Sequence, residues 1–264
     1  EQWWSAFWSH TYTSFDQIDP PSYLGETSLY GLNLDWKRYT TDITCDFMQA
    51  EIDTVKAITP DIPVTTNMMG TYPGIDYWKM AKHLDVASWD AYPQFDGTAG
   101  VSDSDLATSV GMVHSLTRSL LHKPFMIMES TPSAVNWVKP VCRMKRPGVH
   151  YLSSMQMIGH GSDTIQYFQW RKSRGGEEKF HGAVVDHEGS EHSRVFREVA
   201  KLGEDLKKLD EIVGTDTKSQ AAIIFDWENR WALDTFMGLR KYRGYVETVA
   251  ECFGGFFNHA VNVE

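Results

Sequence analysis

Glu129 closes the apolar run Phe125-Met126-Ile127-Met128, where desolvation works against its charge. Trp137 follows eight positions on, and Glu178 lies in SRGGEEKFHGAVV (173–185), three residues before His181. Glycosidic hydrolysis needs two carboxyl groups flanking the bond, about 5–5.5 Å apart in retaining enzymes and further apart in inverting ones. A nucleophilic carboxylate must stay ionised, which calls for donors such as Arg, Asn or Tyr, and a Trp offers a flat face to the apolar side of a pyranose. By position alone, a Glu at a strand end is more often a surface residue than a catalytic one, and Glu177 and Glu178 read as an exposed loop. Asp90 could serve as a general acid, but an Asp at a strand end more often caps a turn. His187 and His192 sit on no common helix face, so they read as no metal pair. Cys142 has no base at a readable spacing, which argues against a thiol nucleophile.

The elements that must position these groups alternate in type. IPVTTNMMG (62–70) is β-rich, DYWKMAKHL (76–84) helical, DVASWDAYP (85–93) a strand and DSDLATSVGMVHSLTRSLLH (103–122) a helix. PFMIMES (124–130) is a strand, GVHYLSSMQMIGHG (148–161) a helix, DTIQYFQWR (163–171) a strand and HSRVFREVAKLGEDLKKLD (192–210) a helix. A further helical spacing runs over 35–57 after a Pro- and Gly-bearing loop at 20–36. Strands alternating with helices predict βα units and a parallel sheet. The strand runs close on Asn67, Asp90, Glu129 and Arg171, with Tyr92 and Gln169 close by. Catalytic groups at the C-terminal ends of several parallel strands are the pattern of an α/β barrel. No glycine-rich phosphate loop follows the first strand, which disfavours a doubly wound nucleotide fold. Four strands fall short of the eight that a barrel closes with. The polar stretch EIVGTDTKSQ (211–220) reads as a linker, and AAIIFDWENRWAL (221–233) opens new material.

Composition narrows the partners. The formal charge of −10, with no basic stripe to offset it, argues against a nucleic-acid backbone as partner, and no run of 18 apolar residues predicts a membrane span. The 10 Trp, 11 Tyr and 13 Phe suit either a large core or a sugar site. The 3 Cys are far apart with no CxxC spacing, so neither zinc nor a disulfide framework is expected, and a reducing, cytoplasmic setting follows. EQWWSAFW is too apolar for a solvated terminus and reads as the interior of a longer chain.

Over essentially its whole length the chain resembles the β-galactosidases of glycoside hydrolase family 42. AFWSHTYTSFDQI, PVTTNMMG, DVASWDAYP, FMIMESTPSAVNW, GSDTIQYFQWRKSRGGEEKFHGAVVDHEG, RVFREVAKLGEDL and AIIFDWENRWAL carry the likeness. It implies the C-terminal half of a (β/α)₈ TIM barrel, about strands 5–8, over residues 1–210. The linker 211–220 then leads to the start of a second, flavodoxin-like trimerisation domain at 221–264. It implies a retaining β-galactosidase that needs no cofactor and works on β-galactosides as a homotrimer. By similarity Glu129 is the nucleophile at the end of the seventh strand, Trp8 and Trp137 are pocket aromatics, and Glu178 and His181 hydrogen-bond galactose hydroxyls. That role removes Glu178 as the second catalytic acid. In the family the acid/base is a Glu following an Asn at the end of the fourth strand, upstream of any residue here, as are a sugar-contacting Arg and the zinc-binding cysteines of some members. Ser130 stands where the family often has Gln, and Trp4 where it often has Gly. The isolated chain is therefore expected to be inactive. Two rivals are a related retaining glycosidase such as an α-L-arabinopyranosidase and a non-catalytic carbohydrate-binding module, which would keep the aromatics without needing Glu129.

Overall fold

A computed structural model describes residues 12–22, 29–95, 100–137, 143–235 and 244–264. Trp8 and Cys142 lie outside the described residues. The backbone divides into two compact units, one of Glu1–Val64, Thr71–Leu84 and Ile224–Glu251, the other of Thr65–Gly70, Asp85–Ile223 and Cys252–Glu264.

The first unit is helical and held by indoles. α1 (Tyr30–Lys56), α2 (Tyr77–Met80) and α6 (Trp227–Thr235) supply its body. Trp227 and Trp231 are buried, and a buried indole N–H needs an acceptor. Backbone carbonyls supply it: Trp227 Nε1 donates to Tyr72 O at 2.9 Å and Trp231 Nε1 to Pro73 O at 2.7 Å. α1 begins at Tyr30, inside the predicted loop, because Leu29 and Leu32 are buried and the Leu29 carbonyl accepts the Asn33 N–H. Burial of two leucines there overrides the loop-forming composition around them.

The second unit holds a three-stranded parallel sheet in the order β1-β2-β3: β1 (Ser88–Asp90), β2 (Phe125–Ser130) and β3 (Ser162–Tyr167). α3 (Asp103–Ser119), α4 (Val149–Gly159) and α5 (Arg194–Leu206) follow the strands in turn. This is the βα alternation expected from the sequence. The Ser102 hydroxyl caps α3 by accepting from Asp105 N, and Ser193 caps α5 by accepting from Phe196 N. Gly161, at φ +96°, turns the chain from α4 directly into β3, a conformation that excludes most other residues. Phe125 and Ile127 are the buried centre of the sheet.

Among the described residues the predicted strand at 62–70 makes one parallel bridge, Met68 to Trp89, with Met68 N donating to Ser88 O and Asp90 N to Met68 O. Upstream of the bridge, the Thr65 hydroxyl donates to Val86 O and lies 2.8 Å from the Ser88 hydroxyl. The run at 221–233 likewise contributes one bridge, Ala221 to Val263, before α6. Among the described residues no helix is long and apolar enough to cross a membrane.

Candidate active site

The chemistry-bearing residues gather at the C-terminal edge of the sheet. β1 ends at Asp90 and the chain reaches Tyr92 two residues later; β2 carries Glu129; β3 runs through Tyr167 into Phe168. The ladder is irregular there. Trp89 is opposite Ile127 but Asp90 is opposite Glu129, and on the other side Ile127 is opposite Ile165 but Ser130 is opposite Tyr167. Against both neighbours, β2 carries one extra residue over its last four positions. Such a bulge bends a strand and re-aims its side chains.

Among the described residues the re-aimed carboxylate has two side-chain donors. Tyr92 Oη donates to Glu129 Oε2 at 2.7 Å, and Asn67 Nδ2 to Glu129 Oε1 at 3.3 Å. Burial, and then the Glu129 bond, push the Tyr92 phenol well above its ordinary range, so it stays a donor at every working pH.

Tyr92 also joins this carboxylate to the rest of the site. Its ring meets Trp137 edge-on at 4.9 Å and His181 at 5.8 Å, and Trp137 and His181 lie 5.3 Å apart. Trp137 is 54% exposed, so part of the indole remains open to a ligand. His181 is 0% exposed and also packs edge-on to Phe168 at 5.0 Å. Burial holds its pKa below the ordinary value, against the opposing pull of Glu178. It is therefore neutral near pH 7. Its Nδ1 lies 3.3 Å from both Asn136 Oδ1 and Glu178 Oε2. Its Nε2 is buried with no hydrogen-bond partner among the described residues, and Glu178 Oε2 makes no proper hydrogen bond, its 3.3 Å approach to the imidazole being poorly aligned. Buried polar atoms left open in this way are the atoms that a bound hydroxyl would satisfy.

Local structure fixes this corner. Glu178 sits in the 3₁₀ turn Glu177–Phe180, and His181 N closes the turn onto Glu178 O at 3.0 Å. Gly182 then passes so close to the Ser133–Ala134 loop that a Cβ would stand 2.5 Å from Ser133 Oγ and 2.7 Å from Ala134 N. Only glycine lets the two loops meet through the Gly182 N to Ala134 O bond of 2.7 Å. Lys145 is buried beneath, with Nζ donating to Thr131 O at 2.9 Å.

Of the residues singled out in the sequence, Glu129, Trp137, Glu178 and His181 come together and Trp8 lies outside the described residues. Arg171 does not take up a donor role here; it bridges Val185 and approaches Gly189. Sequence reasoning noted Tyr92 and Asn67 as strand-end groups without giving them roles, and it missed Asn136 and Lys145. The Tyr-Pro that follows Asp90 was the available signal for Tyr92. Among the described residues no group of three or more His, Cys, Asp or Glu is placed to hold a metal ion.

Residues 1–209 match the Beta-galactosidase model of glycoside hydrolase family 42. The chain belongs to this family. Relatives include Beta-galactosidase Pbg of Clostridium perfringens, 52% identical over 264 residues, covering 98% of this chain and 38% of that protein. Beta-galactosidase GanA of Bacillus subtilis is 52% identical over 269 residues, covering 99% of this chain and 40% of that protein. The structure of a catalytic mutant of Gan42B, a GH42 beta-galactosidase from G. stearothermophilus, superposes with a TM-score of 0.95 at 52% identity, covering 100% of this chain and 39% of that one. The chain thus spans about two fifths of the family 42 proteins that it matches. Its parallel βα sheet is part of a family 42 TIM barrel.

Proposed function

We propose that this chain is the part of a retaining β-galactosidase that carries the nucleophile, Glu129, and much of the galactose pocket. The observation that supports this most directly is the Glu129 carboxylate at the end of β2, held by Tyr92 at 2.7 Å and Asn67 at 3.3 Å beside an exposed Trp. In this reading the apolar face of galactose packs on Trp137. His181 Nε2 and Glu178 Oε2 take sugar hydroxyls, which supply the partners that those buried atoms lack.

A Glu129 oxygen attacks the anomeric carbon while a general acid protonates the leaving oxygen. The resulting galactosyl ester is then hydrolysed by water with overall retention. No residue of this chain matches the family's acid/base, which we assign to the part of the whole protein not spanned here. No cofactor enters the scheme. On the same resemblance we assign residues 1–210 to the second half of the barrel, 211–220 to a linker and 221–264 to the start of the trimerisation domain. The whole protein is then a cytoplasmic homotrimer acting on β-galactosides.

The test uses the whole protein. Glu129→Ala should reduce hydrolysis of a nitrophenyl β-galactoside by at least about 10⁴-fold, and sodium azide should restore turnover as the α-galactosyl azide. Near-wild-type hydrolysis by the variant, or a fluorogalactosyl label trapped on a different residue, would remove Glu129 from the role.

A further inference from the structure

The bulge that aims Glu129 also brings a second carboxyl to its side. In a regular ladder the pairing of Trp89 with Ile127 would set Asp90 opposite Met128, on the other face of the sheet from Glu129. The extra residue in β2 sets Asp90 opposite Glu129 instead. The backbone fixes it there from both sides: Asp90 N donates to Met68 O at 2.9 Å, and the next N–H, of Ala91, donates to Glu129 O at 2.8 Å.

The surroundings of Asp90 supply little to offset a second negative charge. Its Oδ1 is buried with no hydrogen-bond partner among the described residues. From β2 it faces Glu129, from the 65–70 segment the neutral Asn67 amide, and from its own strand end the neutral Tyr92 phenol. Behind Trp89 lies His114, on α3, whose pKa burial lowers so that it too is neutral. Among the described residues no Lys or Arg pairs with Asp90. Burial first, and the Glu129 charge second, push its pKa up to about 6, with only Asn67 pulling it down.

Two like charges held together resist joint ionisation, and neutralising one releases the other. On the reading of Glu129 as the nucleophile, this has a direct consequence for catalysis. We propose that Asp90 is a positioning residue for the reaction: ionised, it drives Glu129 towards the galactosyl ester, and protonated, it lets Glu129 return to the carboxylate. In the first step the bond from Glu129 oxygen to the anomeric carbon forms, the glycosidic C–O bond breaks, and the general acid's proton goes to the leaving oxygen. Asp90 exchanges its own proton with solvent only. Esterification removes the neighbouring charge and so favours the ionised Asp90. Hydrolysis restores that charge and favours proton uptake.

The experiment compares the whole wild-type protein with Asp90→Asn, which keeps the shape and removes the titration. The ionised fraction of a group titrating near pH 6 rises about tenfold from pH 5 to pH 7. Wild-type kcat/KM should therefore rise about tenfold over that interval, and the variant should rise less than about threefold while running about tenfold below wild type at pH 7. An unchanged inflection in a folded variant would overturn the proposal.

If Asp90→Asn does not fold, ¹³C NMR of aspartate-labelled wild-type protein decides. One carboxyl should titrate near pH 6, and trapping Glu129 with a 2-deoxy-2-fluorogalactoside should move that titration to lower pH. No such carboxyl, or one indifferent to trapping, would overturn it. Absence of turnover, or trapping away from Glu129, in wild type would count against the nucleophile assignment itself. Normal trapping at Glu129 with an unchanged pH profile would count against Asp90 alone.

Discussion

Tyr92→Phe removes one oxygen and keeps the ring. The lost interaction is the 2.7 Å hydrogen bond to Glu129 Oε2, a charge-assisted bond of the class worth roughly 1.5–3 kcal/mol. Each 1.36 kcal/mol is tenfold in rate. If the bond holds the carboxylate in its attacking geometry, kcat/KM of the whole protein should fall by roughly 10- to 150-fold. The ring contacts at 4.9 Å to Trp137 and 5.8 Å to His181 survive the change. Folding stability should fall by no more than the bond itself is worth, about 3 kcal/mol at most. The assay is steady-state hydrolysis of a nitrophenyl β-galactoside beside a urea melt of the same preparation. A kcat/KM within threefold of wild type, with the melt unchanged, would refute the claim that Tyr92 holds Glu129 for attack.

Two other perturbations test the packing beneath the site. Gly182→Ala pushes a methyl group into Ser133 and Ala134, so it should cost about 1–3 kcal/mol of stability and raise KM by displacing His181; a neutral urea midpoint with unchanged KM would contradict the close approach. His150 and His160 are held by burial at pKa values of about 4. The unfolded chain binds protons that the folded chain refuses, so their effect is absent above about pH 6.5 and destabilises progressively down to about pH 4, by roughly 2 kcal/mol each at pH 5. Among the described residues neither nitrogen of His150 has a hydrogen-bond partner, so His150→Leu should remove about half of that pH dependence without lowering stability at pH 8; urea melts at pH 5 and pH 8 decide it.

The sheet and its helices were legible because β2 is short and apolar and α3 and α5 open on serine caps, both of which are local signals. Glu129 stood out for a local reason too, as a charge closing a buried run. Its partners did not, because Tyr92 is 37 residues and Asn67 62 residues away along the chain. The extra residue in β2 has no signature of its own, since a bulge exists only relative to the register of both neighbours. Of the strand expected at 62–70, the described residues keep only the Met68–Trp89 bridge. α1 opened earlier than its Pro- and Gly-bearing surroundings suggested because two leucines found a core.

The parallel pairing of β1, β2 and β3 also orders events in time. Each parallel neighbour must be reached across a whole crossover, so each contact between neighbouring strand ends closes a long loop. Glu129 can acquire its tyrosine donor once two strands and α3 have been made and paired. His181 and Glu178, beyond β3, can join only after another helix and strand have emerged. A ribosome-bound chain would thus hold the Tyr92–Glu129 pair before the corner of His181 and Glu178 forms, and closure of that corner would mark the docking of β3 rather than the collapse of the core.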